Sequence, residues 1–280
     1  MRCDSHVHIV GPTDQYPQVA DRAYLAGVAT LEGLQRNSAG TRVGRFVIVQ
    51  PSFYGTDNRL LLRSLNALAT RGRGVAVIDP LSTSDDVIAG FVQQGIRGLR
   101  LNLYSRVGDD RPLEPMFKSL EVPALANNCH IEVIAPLKLI AENADLITRS
   151  RVPVVIDHYG LHSGFTPDHV EGRALLDLLA LPHVWIKLSA PYRVSSDPLC
   201  TTPDPIWLSA ILRTASDRCV WGSDWPHTPP HSAQLGGNRF SPYRNLPYSG
   251  LLTDFMAAVA SEELAERILS ENPARLYEFS

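Results

Sequence analysis

The sequence predicts an α/β fold: a distorted (β/α)8 TIM barrel forming a single domain over residues 1–280. Three observations predict it. Eight short apolar, β-branched runs recur along the chain, several continuous enough for strands buried on both faces of a parallel sheet. Helical stretches with recognisable ends fall between them. The 280 residues match the roughly 250–300 that eight strand–helix alternations occupy. A doubly wound open sheet is the runner-up architecture.

The strand candidates are 3–9, 45–50, 74–78, 98–102, 131–134, 154–157, 184–188 and 219–221. Between them, Asp57 can cap a helix over 58–71 that Gly72 stops, and Ser84 one over 85–94 that Gly95 ends. A helix over 168–181 carries Leu175, Leu176, Leu178 and Leu179, and one over 203–215 opens with Pro203 and Pro205, which suit a first turn. Helices over 262–270 and 273–277 close the chain. Two long irregular segments, 11–41 and 226–247, follow strand ends, where a barrel builds its site, and are expected to cover it.

Composition narrows the function. Hydrophobic residues make up 44% and charged residues 20%, so the chain can build a core. A net charge of −3 argues against an overall field that holds nucleic acid. Cys3, Cys129, Cys200 and Cys219 are widely spaced and form no CxxC pair, against a disulfide framework or a cysteine zinc site. No apolar run approaches the roughly 20 residues of a membrane span, and the first residues lack an apolar signal core. A cytoplasmic protein without membrane or nucleic-acid partners is expected. The oligomeric state is not legible.

The chemistry sits at strand ends. The first strand reads Asp4-Ser5-His6-Val7-His8, and alternation puts His6 and His8 on one face. Two converging imidazoles can hold a divalent ion or, protonated, polarise a carbonyl. The sixth strand ends Asp157-His158-Tyr159-Gly160, the eighth runs into Trp221-Gly222-Ser223-Asp224-Trp225-Pro226-His227. A carboxylate at a strand end facing histidines suits a general base. Arg100 and Arg193, at two further strand mouths, suit a bidentate grip on carboxylates; Arg97, earlier in its strand, reads as structural. Lys187, in an apolar strand, should pair with an interior carboxylate such as Glu132, because an unpaired buried charge is costly. There is no dinucleotide fingerprint, P-loop, HExxH or GxSxG elbow.

These motifs together resemble the amidohydrolase superfamily. Gly98-x-Arg100-x-Asn102 and Lys187-Leu188-Ser189-x-x-Tyr192-Arg193 are similar to its branch containing 2-pyrone-4,6-dicarboxylate hydrolase and related lactonases. The resemblance implies a hydrolase opening a small anionic lactone on a (β/α)8 barrel. It implies that Asp224 activates water, that His6, His8 and His158 polarise the lactone carbonyl, and that Arg100, Arg106 and Arg193 bind substrate carboxylates. Tyr24 would reach in from the first long loop.

Two departures shape the expectation. The fifth strand ends in Ile134, where metal-dependent members offer a ligand, so no cofactor is expected. His6, His8 and Asp224 could still hold one ion, zinc or manganese. Leu161 follows Gly160 where the pyrone-dicarboxylate enzymes would carry another anion-binding arginine. The substrate could then be a dicarboxylate, a sulfonated or muconolactone-like ring, or a singly carboxylated one. The alternatives are a mononuclear metal hydrolase or decarboxylase, a sugar-lactone isomerase, and a non-catalytic carboxylate-binding protein.

Overall fold

The computed structural model describes residues 1–104, 112–229 and 238–280. Eight strands pair in parallel in chain order: β1 (Arg2–Val7), β2 (Val43–Val49), β3 (Gly72–Ala76), β4 (Ile96–Asn102), β5 (His130–Ile134), β6 (Val154–Ile156), β7 (Val184–Ser189) and β8 (Cys219–Gly222). The ring is nearly closed by the chain just past β8. The His8 N–H donates to the Trp225 carbonyl at 2.7 Å, and the Asp224 N–H to that of His6 at 2.9 Å. This closure brings the first and last motifs of the sequence side by side.

The helices start where local hydrogen bonds dictate. Ser84 caps Asp85–Gln93 and Asp204 caps Pro205–Ala215. Two expected starts move. The helix Arg59–Leu68 begins after Asn58, whose side chain is bonded to both backbone groups of Val77, while Asp57 accepts from the Arg59 backbone N–H at 3.2 Å and from its guanidinium. Asp168 accepts from the Thr166 hydroxyl, so its helix is Val170–Leu179. The first long loop is not wholly irregular: Thr30 caps a helix over Leu31–Ser38.

The two ends of the barrel differ. At the N-terminal end of the strands, Tyr277 and Phe279 pack with Cys3, Val47, Val75, Val155, Trp185 and Val220. At the other end the two long loops bind each other. The Leu25 N–H donates to the Arg239 carbonyl at 2.9 Å and the Ser241 N–H to that of Leu25 at 3.2 Å.

The β1 register shifts between Asp4 and Val7. Asp4 therefore turns towards Tyr248, whose hydroxyl donates to it at 2.8 Å, and it also accepts from the Ser223 N–H at 2.9 Å. Burial raises its pKa to about 6 from an ordinary 3.8. A raised carboxyl pKa favours the folded state most below the ordinary value, and that advantage is lost as pH rises through the folded one. The stability of the native chain relative to Asp4→Asn should fall by about 3 kcal/mol between about pH 4 and pH 7. Chemical denaturation across that range checks it; parallel curves would show that Asp4 does not titrate there.

Candidate active site

The C-terminal strand ends turn sharply. His158, Ala190 and Asp224 all adopt positive φ (51°, 53° and 58°) within two residues of the ends of β6, β7 and β8. Such backbone costs of order 1–3 kcal/mol per non-glycine residue and is concentrated at functional sites. Here it aims side chains across the barrel mouth. Close approach matters too: a Cβ on Gly222 would lie 2.6 Å from His6 Cβ and 2.9 Å from its backbone N, so only glycine lets β8 run this close to His6.

Asp224 is the hub. Its Oδ2 accepts from the Tyr192 hydroxyl at 2.7 Å and from Arg193 Nε and Nη2 at 2.9 and 2.8 Å. Its Oδ1 lies 3.3 Å from His8 Nε2 and 3.7 Å from His6 Nε2, fully buried and without a hydrogen-bond partner among the described residues. Burial alone would raise this carboxyl; the Arg193 guanidinium holds it well below the usual carboxylate range. One oxygen is anchored and the other is an ionised acceptor.

The histidines are set by their second nitrogens. The His8 Nδ1–H donates to the Val49 carbonyl at 2.8 Å, turning Nε2 towards Asp224. His158 Nδ1 meets the Ser189 hydroxyl at 2.8 Å, and its ring lies 4.6 Å from that of His6. Burial pushes His6 and His158 well below the usual imidazole range, in His6 helped by Lys187 and His8. That direction favours neutral imidazoles over the protonated donors considered from sequence.

Beneath them lies a charge-balanced layer. Lys187 pairs with Glu132, as its apolar strand demands, and stands 3.6 Å from Asp157 and 3.2 Å from His6 Nδ1. Arg100 donates to Asp157 at 3.0 Å and to the Gln50 carbonyl at 3.2 Å, with Glu132 3.5 Å away. Two cations thus face two carboxylates. Buried pairs of this kind hold geometry more than they add stability.

The structure brings His6, His8, His158, Asp224, Arg100, Arg193 and Tyr24 together; Arg106 lies outside the described residues. The two arginines are not free clamps. Arg100 is committed to Asp157, and Arg193 to Asp224 and the Thr228 hydroxyl, although Arg193 Nη1 has no hydrogen-bond partner among the described residues. Tyr24 is buried beside Phe53, and burial raises its hydroxyl to about 12. These groups line a cavity of about 20 Å³ with His8, Ile134, His158 and Thr228, space for about one water. A second cavity of about 450 Å³ shares Ser52, Arg100 and Asn102 with it and falls in the range of small-ligand sites.

Two buried donor groups could hold a metal by proximity: His6, His8 and Asp224, and His6, Asp157 and His158. The open atoms Asp224 Oδ1 and His6 Nε2 suit an ion. The contact at the other face of His6 does not. An ammonium has only hydrogens to offer, so Lys187 takes the lone pair of Nδ1 and leaves the proton on Nε2. Both donor sets then lack the nitrogen they need from His6.

Sequence reasoning paired Lys187 with Glu132 as the structure does, but missed Tyr192 as an Asp224 partner and the Arg100 contacts to Asp157 and Glu132 beneath. Tyr192 stood next to Arg193 in a quoted motif. Glu132 is fixed by register, Arg100 facing Glu132 across β4 and β5, which one chain's pattern does not specify.

Comparison with known proteins finds lactone hydrolases of similar sequence and fold. The chain is 27% identical over 277 residues to a 4-sulfomuconolactone hydrolase of Hydrogenophaga intermedia, covering 98% of this chain and 88% of that one. It is 28% identical over 289 residues to a 2-pyrone-4,6-dicarboxylate hydrolase of Comamonas testosteroni, covering 98% and 89%. A crystal structure of a probable 2-pyrone-4,6-dicarboxylic acid hydrolase from Acinetobacter baumannii, with citric acid bound, superposes with a TM-score of 0.83 at 26% identity over 99% of both chains. The amidohydrolase family profile matches residues 3–279, and the chain belongs to the amidohydrolase family.

Proposed function

We propose that the chain is a lactone hydrolase acting on a small carboxylated or sulfonated lactone, working as one barrel domain without a bound metal. The observation that carries this is Asp224 Oδ1: an ionised, buried acceptor with no hydrogen-bond partner among the described residues, set beside two imidazoles. Water held there loses a proton to Asp224 as its oxygen attacks the lactone carbonyl carbon. His6 Nε2–H donates to the developing oxyanion, with His8 and His158 beside it. The tetrahedral intermediate collapses, the ring C–O bond breaks, and the leaving oxygen takes the proton back from Asp224. Arg193 Nη1 and Arg100 meet the anionic group of the ligand, Tyr24 closes over it, and Arg106 joins them on sequence grounds.

The relatives' names and the citric acid in the Acinetobacter protein support an anionic ligand. A cytoplasmic location accords with four free cysteines and, among the described residues, no helix long and apolar enough to cross a membrane.

A panel of dicarboxylate, sulfonate and sugar-acid lactones, run with and without chelator and followed by NMR, tests the reading. Ring opening to the acid, unchanged by chelator, is expected. Turnover that needs stoichiometric zinc or manganese would replace it with a metal hydrolase, and a new ring as product with an isomerase. Failure of every anionic lactone would refute it.

A further inference from the structure

We propose that Lys187 is a positioning residue that fixes the proton of His6 on Nε2, and so makes this nitrogen a hydrogen donor to the substrate instead of a metal ligand. The inference starts from atom types. Lys187 Nζ lies 3.2 Å from His6 Nδ1 in hydrogen-bonding geometry. An ammonium donates and never accepts, so a neutral imidazole in this contact must accept through Nδ1 and carry its hydrogen on Nε2.

A rival tautomer is available on paper. Asp157 Oδ1 lies 3.4 Å from the same Nδ1 and could accept a proton from it. Yet Asp157 Oδ1 has no hydrogen-bond partner among the described residues, so Nδ1 is directed at Lys187 and not at the carboxylate. Lys187 cannot swing away cheaply. It is fully buried, bonded to Glu132 Oε2 and 3.6 Å from Asp157. On the far side, His6 Nε2 has no hydrogen-bond partner among the described residues and lies 3.7 Å from Asp224 Oδ1.

The consequence is selectivity for one kind of chemistry on a scaffold that could hold two. The three atoms of the upper donor set, His6 Nε2, His8 Nε2 and Asp224 Oδ1, are close enough for an ion. Ligating nitrogens need a free lone pair, and the group on the other ring nitrogen decides whether it is there. A carbonyl or carboxylate at Nδ1 frees Nε2 for a metal; here an ammonium does the reverse. Glu132 and Asp157 hold that ammonium in place, so the buried charge layer acts on the site through a single hydrogen bond.

The test reads the tautomer directly. Ring-nitrogen NMR on the full chain labelled with 15N-histidine distinguishes protonated from bare nitrogens, with His6 assigned by its loss in His6→Gln. The pair Lys187→Met with Glu132→Gln removes one charge of each sign, which protects folding. The wild-type chain is expected to carry the His6 proton on Nε2. In the double variant it should move to Nδ1, facing Asp157, and zinc measured by equilibrium dialysis should bind about 10–100-fold more tightly. Lys187→Arg keeps a donor and should keep the wild-type tautomer and the weak zinc binding. A wild-type His6 protonated on Nδ1, an unmoved proton in the double variant, or equal zinc affinity in both would overturn the proposal. If the double variant fails to fold, the wild-type spectrum alone decides. The spectra need no substrate, so this inference, which rests on the lactonase reading only for the identity of the acceptor, fails or stands separately from it.

Discussion

Asp224→Asn is expected to lower kcat by about 10²–10⁴-fold, the contribution typical of a positioned general base. The substitution is nearly isosteric. The amide oxygen can still accept from Tyr192 and Arg193, and the NH2 can face His8 Nε2, so the local hydrogen bonds have a way to survive. What is lost is the ionised oxygen that takes the water proton. Binding of an anionic ligand should not weaken, because a negative charge has been removed behind Arg193 and His8, which line the cavity. Calorimetric binding of a lactone alongside steady-state turnover separates the two effects. A variant that keeps turnover within tenfold of the native chain would remove Asp224 from the mechanism. One that leaves binding intact, for a chain with no turnover to lose, would favour a carboxylate-binding protein.

Arg193→Met should have the second-largest effect, visible in both stability and pH dependence. Arg193 is buried against Asp224, and removing one partner of a buried pair costs about 3–5 kcal/mol. Its loss also removes the main influence opposing burial at Asp224. With the depressed carboxyl of the native chain, the ionised form and its stabilising contribution persist above the ordinary value near 4 and fade only as pH falls through the lower folded one. In the variant the carboxyl rises, so kcat should gain an acid limb, falling with decreasing pH where the native chain stays active. Around Asp224 the titratable groups are His6, His8, His158, Tyr192 and Arg193, and Arg193→Lys, which restores the charge, should move the limb back. Superimposable kcat profiles for the native chain and Arg193→Met would show that Arg193 does not set the Asp224 charge.

Much of the site was legible because strand ends are marked in the sequence. The eight apolar runs, the alternation placing His6 beside His8, and the carboxylate after the eighth run all follow from short-range pattern. Lys187 needing a buried partner follows from the cost of an isolated charge. Helix starts were less legible where side chains had a competing bond, as at Asp57 and Asp168.

The sequence by itself determined the barrel and which residue types stand at its mouth, because both are written in local periodicity and in where apolar runs stop. Only the tertiary structure decided what each polar atom faces: Arg100 on Asp157, Arg193 on Asp224, Lys187 on His6. Those pairings join strands far apart in the chain, and their distances depend on register and closure. Hydrogen bonding at this range turns on tenths of an ångström and on which atom carries the proton, and no local pattern encodes either.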